Sequence, residues 1–147
     1  MQAPLYLLSV FLGVILAVHL GMNGKVGAAI NNVAVGNAVF WVIGAVTAVV
    51  LGVFSYTAGA LAPLKTVNPI MLTAGAMGAC LVFGISWLFP RIGANSVMIT
   101  LLAGQILAGM VLSHFGWLGS PVQPITVTQI VGVAVMVGGV CIATFVK

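Results

Sequence analysis

Few side chains in this sequence can do chemistry, and none of them is a carboxylate. Of 147 residues, four are Lys or Arg, two are His and none is Asp or Glu. Glycoside hydrolysis uses a pair of carboxylates, a Ser-His-Asp triad needs one, and a Ca²⁺ or Mg²⁺ site is built from several, so all three are excluded. His19 and His114 stand 95 positions apart with no third ligand near either, which argues against a metal. Ser113 and His114 are neighbours, but adjacent side chains on a helix point about 100° apart and no acid completes the pair. The sequence therefore reads as no enzyme and implies no cofactor. Cys80 and Cys141 lie in apolar runs and make no disulfide framework. The four cations are scattered, so a pI of 9.6 does not signal a nucleic-acid partner.

What remains is hydrogen bonding and stacking in an apolar setting. Asn95, Met98, Leu102, Gln105, Gly109 and Ser113 fall within roughly one quarter of a helix circumference. Gln105 is flanked by Gly104 and Gly109, which let a helix or a ligand come close. Ser9, Leu12, Leu16, His19 and Asn23 share a second stripe. Each polar group has a plainer role available: Gln105 can bond across helices, and His19 near a helix end can reach headgroups. Trp41, Trp87 and Trp117 fit an interfacial aromatic belt. Trp41 is also a candidate pocket wall, and Trp87 a candidate lining residue.

The elements that position these groups are membrane spans. Hydrophobic residues make up 63% of the chain and charged residues 3%, against roughly 25% charged in soluble domains. Four charges cannot wet the surface of a 15.0 kDa globule. About 20 apolar residues cross a bilayer, and five stretches qualify: about 3–22, 33–55, 70–89, 93–113 and 126–146. The expected architecture is an all-α, multi-pass transmembrane domain covering 1–147. The first stretch lacks a basic n-region and a following A-x-A site, so it reads as a span rather than a cleaved leader. The gaps carry Asn, Gly, Pro and the cations. NGKVGAAINN is expected to be a loop after the first helix, and PRIG a tight connection.

An odd number of spans puts the termini on opposite faces. Lys65 falls on the N-terminal side; Lys25, Arg91 and Lys147 fall on the other. The positive-inside rule then favours a cytoplasmic C-terminus. The bias is small enough that insertion in both orientations is physically credible. Small residues recur at Gly44, Ala48 and Gly52, at Gly75, Ala79 and Ser86, and at Thr128, Gly132, Gly139 and Ala143. Such stripes pack helices within one subunit, and the last is also a candidate subunit interface.

Several local patterns resemble the small five-helix YdcZ-like family of the drug/metabolite transporter superfamily. Asn23-Gly24-Lys25-Val26-Gly27 is similar to its N-x-x-L-G turn, and Phe40-Trp41-Val42-Ile43-Gly44 to its S-F-x-x-G. Ala74-Gly75-Ala76-Met77-Gly78-Ala79 is similar to G-G-x-x-G-A, and Pro90-Arg91-Ile92-Gly93-Ala94 to P-x-x-G-A. Gly104-Gln105 followed by Ser113-His114-Phe115-Gly116 is similar to G-Q then D-H-F-G. Three departures stand out: His19 replaces a Gln, Ser113 replaces an Asp, and Gln129 replaces an Arg.

The resemblance implies an exporter or facilitator working by alternating access in a bacterial inner membrane. A five-helix chain looks like one half of a ten-helix inverted-repeat transporter, completed by an antiparallel homodimer or a paired homologous subunit. Its expected cavity uses Gln105 and Asn95 as amide contacts, His19 and Asn23 at one mouth, Trp41 as a wall, and Trp87 and Ser113 nearby. With no carboxylate, and no Glu in the first helix, a cationic drug is poorly matched. A neutral, zwitterionic or weakly anionic organic substrate is favoured. The rival reading is an accessory or structural subunit of a larger membrane complex.

Overall fold

The structure is a computed structural model that describes residues 3–146. It is all-helical, and five helices are long and apolar enough to cross a membrane. They are α1 (Ala3–Ala29), α2 (Val33–Phe54), the third span Pro69–Ile92, α5 (Ala94–Phe115) and α6 (Val127–Phe145). The third span is divided into a short α3 (Pro69–Leu72) and α4 (Ala74–Ile92). At 1.5 Å per residue, the 22 residues of α2 reach about 33 Å, the thickness of a hydrocarbon core.

The chain forms two compact units, residues 1–91 and 92–147. In the first, α1 packs on α2, and α4 joins them through side-chain contacts. In the second, α5 packs on α6 and on a short 3₁₀ turn at Trp117–Gly119.

The first helix is longer than expected. Residues 23–29, expected as loop, continue α1 to Ala29. Asn, Gly and Lys there suggest a turn by composition, but Asn23, Gly24 and Gly27 are its buried face. The turn comes later, at Asn31 with φ 52 and Asn32, whose side-chain oxygen caps α2 at the Val35 N–H (3.1 Å). Asn is among the few non-Gly residues that adopt the left-handed region readily.

Glycines hold the α1–α2 crossing, though not those of the expected stripe. A Cβ on Gly27 would stand 3.1 Å from the Val33 Cα, whereas one on Gly44, Gly52, Gly75, Gly132 or Gly139 would meet nothing within 4 Å. Those stripes leave their glycines open. The third span breaks at Thr73, whose hydroxyl bonds the Ile70 carbonyl (2.7 Å). Pro69 opens α3 behind an Asn68 cap. Pro90, Arg91 and Ile92 close α4, and Gly93 at φ 80 turns the chain into α5, so PRIG is the tight connection expected.

Buried hydrophobic side chains among the described residues are only Leu20, Val82, Ile85 and Val97. Nearly all other large apolar side chains face outward, as they do when lipid rather than water is the solvent.

Candidate functional site

A cleft of about 210 Å³ opens between α1 and α2. His19, Met22 and Asn23 line it from α1, and Gly36, Phe40 and Ile43 from α2. Spacing of four places His19 and Asn23 one above the other on α1. Gly36 borders the cleft where α2 comes closest to α1, and a Cβ there would meet the Gly27 backbone. Because α1 runs on to Ala29, His19 lies ten residues inside the helix rather than near its end.

The His19 ring stacks on Phe40, with centroids 5.4 Å apart and planes at 25°. Its Nδ1 lies 3.3 Å from the Ile15 carbonyl. That oxygen can only accept, so Nδ1 is the donor in this contact.

Asn23 is 3% exposed and sits at the centre of a polar network. Its Nδ2 donates to the Ser86 hydroxyl of α4 (2.9 Å) and to the Asn37 Oδ1 of α2 (3.4 Å). Asn37 in turn donates to the Ala79 carbonyl (3.2 Å). Both Asn23 amide hydrogens are used, and its buried Oδ1 accepts from nothing among the described residues. Ser86, a packing residue by sequence, is 1% exposed and ties α4 to α1. The sequence reading missed Asn37, whose only signal was being an amide inside an apolar run.

Trp41 sits on α2 with its ring edge against α4: a Cβ on Gly78 would be 3.2 Å from the indole. Its N–H is buried without an acceptor among the described residues. Trp87 is 44% exposed, and the Arg91 guanidinium lies 3.6 Å over its ring while donating to its carbonyl. Trp87 is thus clasped to the end of α4.

The second unit holds a smaller polar cleft of about 160 Å³, lined by Gly109, Met110, Ser113, Gln123, Ile125 and Gln129. Ser113 shares a hydrogen bond with Ser120 (3.0 Å), and its carbonyl accepts the Gln123 N–H (2.8 Å). The Ile125 N–H donates to His114 Nδ1 (3.2 Å). Gln129 closes a capping box with Thr126 at the start of α6. Ser113 and Gln129 therefore meet at one cleft. Gln105 and Asn95 line neither cleft. Both are exposed on α5, and Gln105 makes no hydrogen bond among the described residues.

Comparison with known proteins agrees with this architecture. No curated protein and no solved structure matches the chain significantly. Residues 4–142 match the family described as "Putative inner membrane exporter, YdcZ", of the drug/metabolite transporter class. With nearly the whole length matched, and with five helices able to span a bilayer, this chain belongs to the YdcZ family of multi-pass inner-membrane transport proteins.

Proposed function

We propose that the chain moves a small organic molecule across the membrane by alternating access, as one half of an antiparallel pair. The observation that supports this best is Gln105. It stands eleven residues from Ala94 and ten from Phe115, at the middle of α5, exposed and without a hydrogen-bond partner among the described residues. An amide left bare in hydrocarbon costs about 4–8 kcal/mol relative to water. Something polar must face it: a second copy, a wet pathway, or both. A cavity on the axis between two copies supplies both.

In this reading Gln105 and Asn95 offer amide contacts along the pathway. His19 and Asn23 form one mouth, and Trp41 is the wall behind it. Trp87 and Ser113 flank the route at helix ends. The cavity holds no fixed negative charge, which favours neutral, zwitterionic or weakly anionic substrates. The open glycines of α6 give the partner a surface for close approach.

The test is flux in proteoliposomes, with and without a pH gradient, for a panel of neutral and zwitterionic solutes. Gln105→Ala is expected to lower flux at least tenfold while the protein still purifies as a folded species. Unchanged flux would remove Gln105 from the pathway.

A further inference from the structure

The polar cleft of the second unit opens into an apolar groove. The cleft, about 160 Å³, lies where two spans end: Ser113 is in the last turn of α5, Gln129 in the first turn of α6, and Gln123 on the loop between them. The groove, about 420 Å³, follows α5 and α6 past Ile106, Gly132, Val133 and Met136. Met110 and Gln129 border both, so cleft and groove form one trough with a polar end and an apolar length. A Cβ on Gly132 would meet nothing within 4 Å, which leaves the groove open at that point. Met136 stands at the middle of α6. From Gln129 to Met136 the trough runs roughly 10 Å at 1.5 Å per residue, from the end of a span toward the centre of the bilayer.

Backbone fixes the chemistry of the polar end. The Thr126 N–H can only donate, and it donates to Gln129 Oε1 (2.9 Å). The Gln129 oxygen is therefore turned back onto the helix cap. Its Nε2 is the free end, and neither of its two hydrogens is used among the described residues. Gln123 is exposed, and its side chain makes no hydrogen bond among the described residues. No Lys, Arg or His borders the trough, so an anionic head would enter without a counter-charge, which is costly beside hydrocarbon. The chain has no Asp or Glu to hold a cationic head. An uncharged head with acceptor oxygens is the match. We infer that the trough binds a neutral, single-chain lipid from the bilayer, of the monoacylglycerol type. Its carbonyl or hydroxyl oxygens accept from Gln129 Nε2, and its alkyl chain lies over Gly132 between Met110 and Met136. The site needs neither transport nor a second copy.

The test is photolabelling of the full-length protein in phosphatidylcholine nanodiscs, with a monooctanoylglycerol analogue that carries a diazirine at the chain end. Saturable labelling at Met110, Val133 or Met136 is expected, mapped by mass spectrometry of peptides. Unlabelled monooctanoylglycerol should displace it, whereas octane and octyltrimethylammonium should not. Gly132→Leu fills the groove and should abolish the labelling. Gln129→Glu keeps an oxygen for the Thr126 cap, so α6 still starts as before, but it removes the donors. It should weaken the glycerol ester at least about fivefold, the scale of one hydrogen bond. It should also make octyltrimethylammonium the better competitor. Labelling spread evenly over all the helices, displacement by octane, or an unchanged head preference in Gln129→Glu would each overturn the inference. So would absence of labelling together with a smaller particle for Gly132→Leu in mild detergent, which would assign the groove to a second copy. Ester binding by a protein that moves no solute would uphold this site and sink the transporter reading. Flux without ester binding would do the reverse.

Discussion

A Cβ built on Gly36 of α2 would stand 2.7 Å from the Gly27 Cα of α1, inside the range that real atoms never occupy. The obstacle is backbone, so no side chain can swing away. Gly36→Ala is expected to destabilise the protein by about 1–3 kcal/mol, the usual cost of overpacking. Gly44→Ala, on the same helix but with nothing nearby, should be neutral. Detergent unfolding followed by size-exclusion chromatography checks both. Equal stability of the two variants would mean that α1 and α2 cross elsewhere.

The Asn23–Ser86 bond joins α1 to α4 at 2.9 Å within the protein. Ser86→Ala leaves an Asn23 N–H without its best acceptor and should cost about 1–2 kcal/mol. Asn37→Ala removes the other acceptor. Because both act through Asn23, the two changes should be non-additive by at least about 0.5 kcal/mol in a double-mutant cycle. Strict additivity would show that the network is not a unit.

Ser113 and Gln129 share a cleft in the second unit. Ser113→Asp alone places a carboxylate there without a cation and should destabilise. Adding Gln129→Arg supplies the partner, at the loss of the Gln129 capping contact to Thr126. A double-mutant cycle should show a favourable coupling of about 1 kcal/mol. No coupling would mean that the two positions do not meet in the membrane.

Arg91 is held over Trp87 at the end of α4, and by count it is one of three cations on the C-terminal side against Lys65 on the other. Arg91→Gln should raise the share of molecules inserted with the C-terminus outside. Lys65→Gln should lower it. C-terminal reporter fusions active on opposite faces of the membrane measure the ratio. A ratio that neither change moves would show that loop charge does not set orientation.

The spans were legible because lipid imposes a strong rule: about 20 apolar residues and no charge at mid-depth. That rule located all five helices. It did not locate the end of α1, because Gly24 and Gly27 look the same in sequence whether they break a helix or let another approach. Only the position of α2 tells them apart. For the same reason His19 read as a residue near a helix end. The cleft was legible in part: His19 and Asn23 were selected by their shared stripe, whereas Phe40 and Gly36 joined them through tertiary packing. Ser86 and Asn37 escaped because their partners lie 63 and 42 positions away, at Asn23 and Ala79 respectively. Short-range periodicity carries no trace of such contacts.

The central claim is that two copies face each other upside down across Gln105. Cys80 and Cys141 are free and exposed, so Cys80→Ala with Cys141→Ala gives a clean background. Met98 and Leu112 lie seven residues to either side of Gln105, on the same face of α5. In an antiparallel pair, position 98 of one copy lies at the depth of position 112 of the other. The decisive measurement is cross-linking in membranes with a short bis-thiol reagent, on cells that make Met98→Cys and Leu112→Cys chains together or separately. The account predicts a mixed 98–112 dimer and no dimer from either chain alone. Cross-linking of 98 to 98 and 112 to 112, or no cross-link in any combination, would contradict it.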